Sequence, residues 1–275
     1  MEVRFCHTIS IYSMKEIKQE VCAPSKTKKK YSCYTSGDLK QLKRKYNKTH
    51  REKIHVDSPS EIWKQLMEKM PCQKESCLAS SLQLNVDRFA PKSPAEWKKN
   101  PNAWLSSDDI TKVLIQYEKA FPHFLYIGPS PSDFYFRENG TCAWEELCRF
   151  DVTKLTKTNK VGIVFNLDVH DGPGTHWVAV FIDVASKKMY YFDSTGEEIH
   201  ENIYKFYEKV KGQDPGYALI QNAPVEHQFG NTECGMYVLF FLIVMLQTNQ
   251  FSYFKRKKTF SDKSMEKLRT QFFNS

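Results

Sequence analysis

The chain has 275 residues, 41% hydrophobic and 14% aromatic, which fits a soluble globular protein with a full-sized core and excludes a small disulfide scaffold. No N-terminal stretch joins basic residues, an apolar core and a small-residue cleavage site, so we expect a protein kept or packaged inside a cell. Residues 1–60 hold 14 of the 40 Lys+Arg and 6 of the 32 Asp+Glu, so the whole net charge of +8 (14 minus 6) lies in that segment.

In chain order, "SKTKKKYS" (25–32) reads as a flexible basic linker and "SGDLKQLKRKYNKTHREK" (36–53) as a short polar helix. Such a basic stretch suits nucleic acid or an acidic surface, or is simply a solvated arm. "SPSEIWKQLMEKM" (58–70) predicts a helix capped by Ser58 or Ser60, with Ile62, Trp63, Leu66 and Met70 near one face. The Pro-containing stretch from 88 to 104 has few periodic apolar positions and marks the junction of arm and main domain, expected at 1–95 and 96–275. "WLSSDDITKVLIQYEKAF" then predicts a helix capped by Ser106 or Ser107, with Ile110, Val113, Leu114 and Tyr117 as its stripe.

The second half turns β-rich. "VGIVFNLD" (161–168), "HWVAVFIDV" (176–184), "KMYYFDST" (188–195) and "YALIQNAP" (217–224) read as strands, the first two without clean alternation, as in strands covered on both faces. Helices are expected at 197–210, from Cys234 onward and at 261–273. The run from Gly235 to Leu246 is 12 residues long against the roughly 20 that span a bilayer, so it reads as a buried helix.

The eight cysteines (6, 22, 33, 72, 77, 142, 148 and 234) form no CxxC pair and are expected to stay reduced; "CQKESC" has no second pair or CxxxH nearby, so no metal or cofactor is expected. Cys234 opens the apolar helix, where Asn231 or Thr232 would cap and the helix N-terminus would favour a thiolate. Position alone does not distinguish a nucleophile from a buried core thiol. A nucleophile needs a base. His176 follows the glycine loop "DGPGT" and opens a strand, with His170 and His227 as rivals. The imidazole needs an acceptor, for which Asp193 at the end of "KMYYFDST" is the candidate, with Asp168 and Asp183 on neighbouring strand ends. Donors for an oxyanion would be the Cys234 N–H and the Gln228 side chain.

Taken together, "GTHWVAVFID", "YFDSTG" and "NTECGMYVLF", and more weakly "CQKESC", "RFAP" and "WLSSDDITKVL", resemble the cysteine proteases that process ubiquitin-like proteins together with the adenovirus protease. The likeness is greatest to the polyprotein-processing branch of African swine fever virus and similar large DNA viruses, covers about residues 70–273, and leaves the first 60 residues unmatched. It implies an α+β fold with a papain-related core, a mixed sheet flanked by helices, and a catalytic order His, Asp, Cys, preceded here by a basic, largely helical arm. It implies Cys234 as nucleophile, His176 as base and acid, Asp193 as orienting acceptor and Gln228 as oxyanion donor. Trp177 borders the cleft in that group, and Trp104 resembles a residue lining substrate access. The swine fever branch carries Asn where this chain has Asp193; Asp is the form of the ubiquitin-like-protein proteases. The resemblance implies cleavage after small residues, commonly Gly-Gly. The expected partners are viral structural precursors during virion maturation, or else a ubiquitin-like modifier, in the virion and host cytoplasm. An inactive binding scaffold is the reading from another class, with nucleic acid contact through the basic arm.

Overall fold

A computed structural model describes residues 20–25, 31–142, 144–257 and 260–275; most of the basic linker at 25–32 and the first 19 residues, with Cys6 and His7, lie outside the described residues. The chain divides into two compact units, one of residues up to Lys92 together with Phe272–Ser275, the other Ser93–Gln271.

The first unit is more than an arm. Helices α1 (Ser36–Thr49), α2 (Pro59–Lys69) and α3 (Ser76–Ser81) enclose a core of Leu39, Leu42, Tyr46, Ile54, Ile62 and Leu66. α1 begins at a capping box: the Thr35 hydroxyl accepts from the Asp38 N–H, and the Asp38 carboxylate accepts from the Thr35 N–H. It ends at Thr49, four residues before Lys53, because the chain turns extended at His50. Ser58 stands at the N-cap of α2 without a capping bond, its hydroxyl paired instead with that of Ser60 at 2.9 Å.

The expectation of reduced thiols fails for six cysteines. Cys22–Cys33, Cys72–Cys77 and Cys142–Cys148 are disulfides, and Cys234 is the free thiol among the described cysteines. Local turns over 11, 5 and 6 residues bring the paired Cα atoms to 5.2, 5.6 and 6.5 Å, a geometry that spacing rules built on CxxC do not capture.

In the second unit, α4 (Ser107–Ala120) leads into a five-stranded sheet of order β1-β4-β5-β6-β7, with β1 Phe124–Pro131, β4 Lys160–Asn166, β5 Trp177–Asp183, β6 Lys188–Phe192 and β7 Ala218–Gln221. A separate hairpin, β2 (Arg137–Glu138) with β3 (Thr141–Cys142), and the short α5 (Glu145–Cys148) fill the link from β1 to β4. The sheet is mixed: the outer pairs β1/β4 and β6/β7 are parallel, the inner pairs β4/β5 and β5/β6 antiparallel. β1 is absent from the sequence reading because Gly128, Pro129 and Pro131 break its pattern. It is an edge strand whose register shifts between Ile127 and Ser130, the place where a sheet tolerates proline.

Both faces of the sheet are covered, which explains the missing alternation. Ile163, Val180, Ile182 and Tyr191 pack with Phe206 and Val210 of α6 (Glu201–Gln213). On the other face Phe192 stacks on Phe241 of α7 (Cys234–Thr248), the ring centroids 4.8 Å apart. Every residue of α7 from Cys234 to Leu246 is buried, and no helix of the described residues is long and apolar enough to cross a membrane. α8 (Asp262–Phe272) closes the chain.

The antiparallel β5/β6 register pairs Ala179 with Phe192 and so sets which strand ends lie together. His176 immediately precedes β5 and Asp193 immediately follows β6, so both project from the same end.

Candidate active site

At that end the His176 Nε2–H donates to Asp193 Oδ1 at 2.8 Å, and Cys234 lies near enough to the same imidazole to favour its charged form. With Nε2 on the carboxylate, Nδ1 is the nitrogen left to face sulfur. Burial of the ring works against its charge, but the hydrogen bonds and negative charges of Asp193 and Cys234 outweigh it and raise the His176 pKa to about 10. Asp193 is 1% exposed and the His176 side chain 19%, so the acceptor is sealed while the ring stays partly exposed.

Asp193 is held from several sides. Its Oδ1 also accepts from the Thr195 N–H at 2.9 Å and hydroxyl at 2.7 Å. Its backbone is clamped by Asn222, whose Oδ1 accepts from the Asp193 N–H and whose Nδ2 donates to the Asp193 carbonyl. Gly196 makes the "DSTG" turn possible: its φ is +79°, and a Cβ there would lie 2.7 Å from the Glu226 nitrogen. Asn222 and Thr195 escape the sequence reading, since an asparagine ending a strand and a threonine in a turn carry no signal of their own.

α7 presents Cys234 at its first residue. The expected cap by Asn231 or Thr232 is absent. Glu233 occupies the N-cap position without a capping bond, because Arg269 holds its carboxylate and the Thr232 hydroxyl donates to that same carboxylate at 3.1 Å. The Cys234 N–H has no hydrogen-bond partner among the described residues and is free to donate at the helix N-terminus. Gly235 follows because the chain at Leu105 runs close: a Cβ at Gly235 would meet the Leu105 Cβ at 3.0 Å.

Gln228 is buried on the loop leading to α7. Its Oε1 accepts from the Ser194 hydroxyl at 2.8 Å and its Nε2 donates to the Gly230 carbonyl at 2.9 Å, leaving one amide hydrogen for another acceptor. Trp177 is buried and donates through Nε1 to the Leu105 carbonyl at 3.1 Å, while Trp104 is 47% exposed. The two indoles line a cavity of about 360 Å³ together with Leu105, Trp144, Val169 and His170.

The rival residues are committed elsewhere. His170 pairs through Nδ1 with Asp133 at 2.7 Å and stacks on Phe136. His227 is buried, its Nε2 donating to the Phe254 carbonyl at 3.0 Å, and burial lowers its pKa. Asp168 accepts from the Val169 and Gly174 N–H groups and so shapes the glycine loop; Asp183 accepts from Ala185, Ser186 and Asn249. Among the described residues no group of His, Cys, Asp and Glu is arranged to hold a metal ion.

Residues 110–275 match the Ulp1 protease family, C-terminal catalytic domain. The chain belongs to the Ulp1 protease family. It is 32% identical over 234 residues to a cysteine protease of African swine fever virus (isolate Tick/Malawi/Lil 20-1/1983), covering 76% of this chain and 85% of that protein. It is also 32% identical over 169 residues to a protein of Acanthamoeba polyphaga mimivirus that carries a thiol-protease name; that match spans 57% of this chain and about half (52%) of the mimivirus protein. The crystal structure of the African swine fever virus protease in selenomethionine form has the same fold, with a TM-score of 0.67 at 22% identity over 93% of this chain and 96% of that one. This Ulp1-family chain is therefore a cysteine protease with relatives in large DNA viruses, and its α+β fold, a mixed sheet flanked by helices, is the Ulp1 type.

Proposed function

We propose that Cys234, His176 and Asp193 form the catalytic triad of an endopeptidase, a reading carried by the buried Asp193 carboxylate holding an imidazole whose charged form Cys234 also favours. The imidazolium stabilises the Cys234 thiolate, which attacks the carbonyl carbon of the scissile bond. The developing oxyanion is met by the Cys234 N–H and the spare amide hydrogen of Gln228, each donor worth roughly 3 kcal/mol of barrier. His176 gives its proton to the leaving amine. It then takes one from the water that resolves the acyl-enzyme, while Asp193 fixes the ring and balances its charge.

Trp104 and Trp177 narrow the approach and support selection of small residues before the scissile bond, such as Gly-Gly, where a larger side chain would meet an indole. The substrates in this reading are structural precursor proteins cleaved during virion maturation, with the enzyme acting at the assembly site in host cytoplasm and in the virion. A deconjugase acting on a ubiquitin-like modifier would use the same groups. Wild-type enzyme and Cys234→Ala, offered a Gly-Gly-containing precursor and a modifier conjugate side by side, decide between the two. Cleavage of neither by wild type, or equal cleavage by Cys234→Ala, would overturn the assignment. Cleavage that tolerates a bulky residue before the scissile bond would remove the small-residue specificity.

The first unit supports nucleic acid contact as a further role. Lys40, Arg44, Lys45 and Lys48 are exposed on α1 and make no ion pair among the described residues, whereas Asp38 and Asp57 are paired with Arg88 and Lys43. The apolar positions of α1 are buried, so no apolar face remains to enter a bilayer. Retention on duplex DNA that weakens with a log–log salt slope of roughly −0.9 per phosphate contact is the expected outcome.

A further inference from the structure

One side chain ties the wall of the cleft to the segment that carries the nucleophile. Arg269 of α8 is 5% exposed and Glu233, the residue before Cys234, is 1% exposed. The guanidinium binds that carboxylate with two prongs, Nη2 to Oε1 at 2.6 Å and Nε to Oε2 at 3.1 Å. Its remaining nitrogen, Nη1, donates to the carbonyls of Ala103 at 2.9 Å and Pro101 at 3.2 Å, on the segment that runs directly into Trp104 and Leu105. The group is fixed from one face as well, lying 4.5 Å over the ring of Trp97, whose own Nε1 donates to the Ala103 carbonyl at 2.9 Å. The planar fork suits this double duty, because a guanidinium can serve a carboxylate on one edge and carbonyls on another at fixed angles.

Stability alone is a poor account of such an arrangement, since a buried ion pair is often no more stabilising than apolar residues of similar volume. What an apolar replacement lacks is a single planar group that holds both segments at fixed angles. We propose that Arg269 is a positioning residue that sets the spacing between the indole wall of the cleft and the thiol of Cys234, with the Glu233 carboxylate as its anchor on the nucleophile side. The proposal rests on the assignment of Cys234 as nucleophile.

The two halves of the contact can be cut separately. In Arg269→Lys an ammonium keeps the charge opposite Glu233 but cannot also hold the carbonyls of Pro101 and Ala103, so the wall is released and the nucleophile stays anchored. The expected result is a rise in KM of about tenfold on a peptide substrate with kcat changed by less than about threefold. In Glu233→Gln the carbonyls and the Trp97 ring still hold the guanidinium, but the nucleophile segment loses its charged anchor. Here kcat should fall about tenfold and KM move by less than about threefold. Trp97→Leu, which removes the ring beneath the guanidinium, should follow Arg269→Lys on KM to a smaller degree. Cys234 alkylation by iodoacetamide, which needs no cleft wall, should proceed in Arg269→Lys at the wild-type rate. If Arg269→Lys and Glu233→Gln shift the same kinetic parameter in the same proportion, or lower only the thermal midpoint, the pair is a structural strut and the proposal fails. Cys234→Ala measured alongside separates the two claims: if it cleaves as well as wild type, the nucleophile assignment itself falls.

Discussion

One buried acid from each unit sits under three hydrogen-bond donors, and the donors differ in kind. Glu75 in the first unit accepts from the Cys33 N–H at 3.1 Å, the Trp63 indole at 3.0 Å and the Ser32 hydroxyl. Asp193 in the second accepts from His176, the Thr195 N–H and the Thr195 hydroxyl. Burial raises the pKa of Glu75 against the pull of its three donors, all of them neutral groups that never titrate in the working range. One of the Asp193 donors is an imidazole whose charged form Cys234 also favours and whose side chain stays partly exposed. Burial of an acid says little by itself. What its donors can do with the charge decides whether the site holds the fold together or performs chemistry.

The largest effect should come from Asp193→Asn, which keeps the shape and removes the charge. We expect kcat/KM to fall about 10²- to 10³-fold, as an orienting acceptor that no longer balances an imidazolium permits. The pH dependence gives the sharper test. The folded pKa of His176 is raised from 6.5 to about 10, so its charged form and the stability it adds are fully present below about 6.5 and lost as pH rises through about 10. Without the Asp193 charge the alkaline limb of activity moves to lower pH, and thermal stability becomes flatter across the same window. A limb that stays in place in Asp193→Asn would mean that the carboxylate does not govern the imidazole.

Glu75→Ala should mirror this with the signs exchanged. It leaves the Trp63, Cys33 and Ser32 donors buried without an acceptor, at a cost of about 2–3 kcal/mol, and lowers the thermal midpoint by several degrees. The kcat/KM for a short peptide and its pH profile should stay within about twofold of wild type, because no donor of Glu75 belongs to the proposed triad. A shifted pH profile in this variant would erase the distinction between the two acids.

The protease unit was far more legible in the sequence than the first unit, for physical reasons that single residues show. Strands β4, β5 and β6 announce themselves because both their faces are buried and nearly every position is apolar. His176 and Asp193 were legible because strand ends place them, and antiparallel pairing then fixes which ends meet. In α1 only Leu39, Leu42 and Tyr46 reach the core, spaced among lysines, so charge dominates the pattern and a packed unit reads as an arm. The disulfides and the Arg269 contacts are invisible for a different reason. They depend on where the backbone brings segments together, as when residue 269 meets 101, 103 and 233, and no periodicity encodes that meeting.

The smallest expected effect is the most discriminating. Thr195→Val removes only the hydroxyl that shares Asp193 Oδ1 with His176, leaving the Thr195 N–H and the ring in place. Less of the carboxylate charge is then spent on a neutral donor, and more is available to the imidazolium. The alkaline limb should therefore move upward, by no more than about half a pH unit, with kcat changed by less than about threefold. Its direction is opposite to that of Asp193→Asn, although both substitutions weaken the same cluster of hydrogen bonds. If the cluster merely fixed the ring in space, the two variants would push the limb the same way. Opposite shifts are expected only if the charge on Asp193 is what His176 responds to, which is the property that Glu75, under its three neutral donors, lacks.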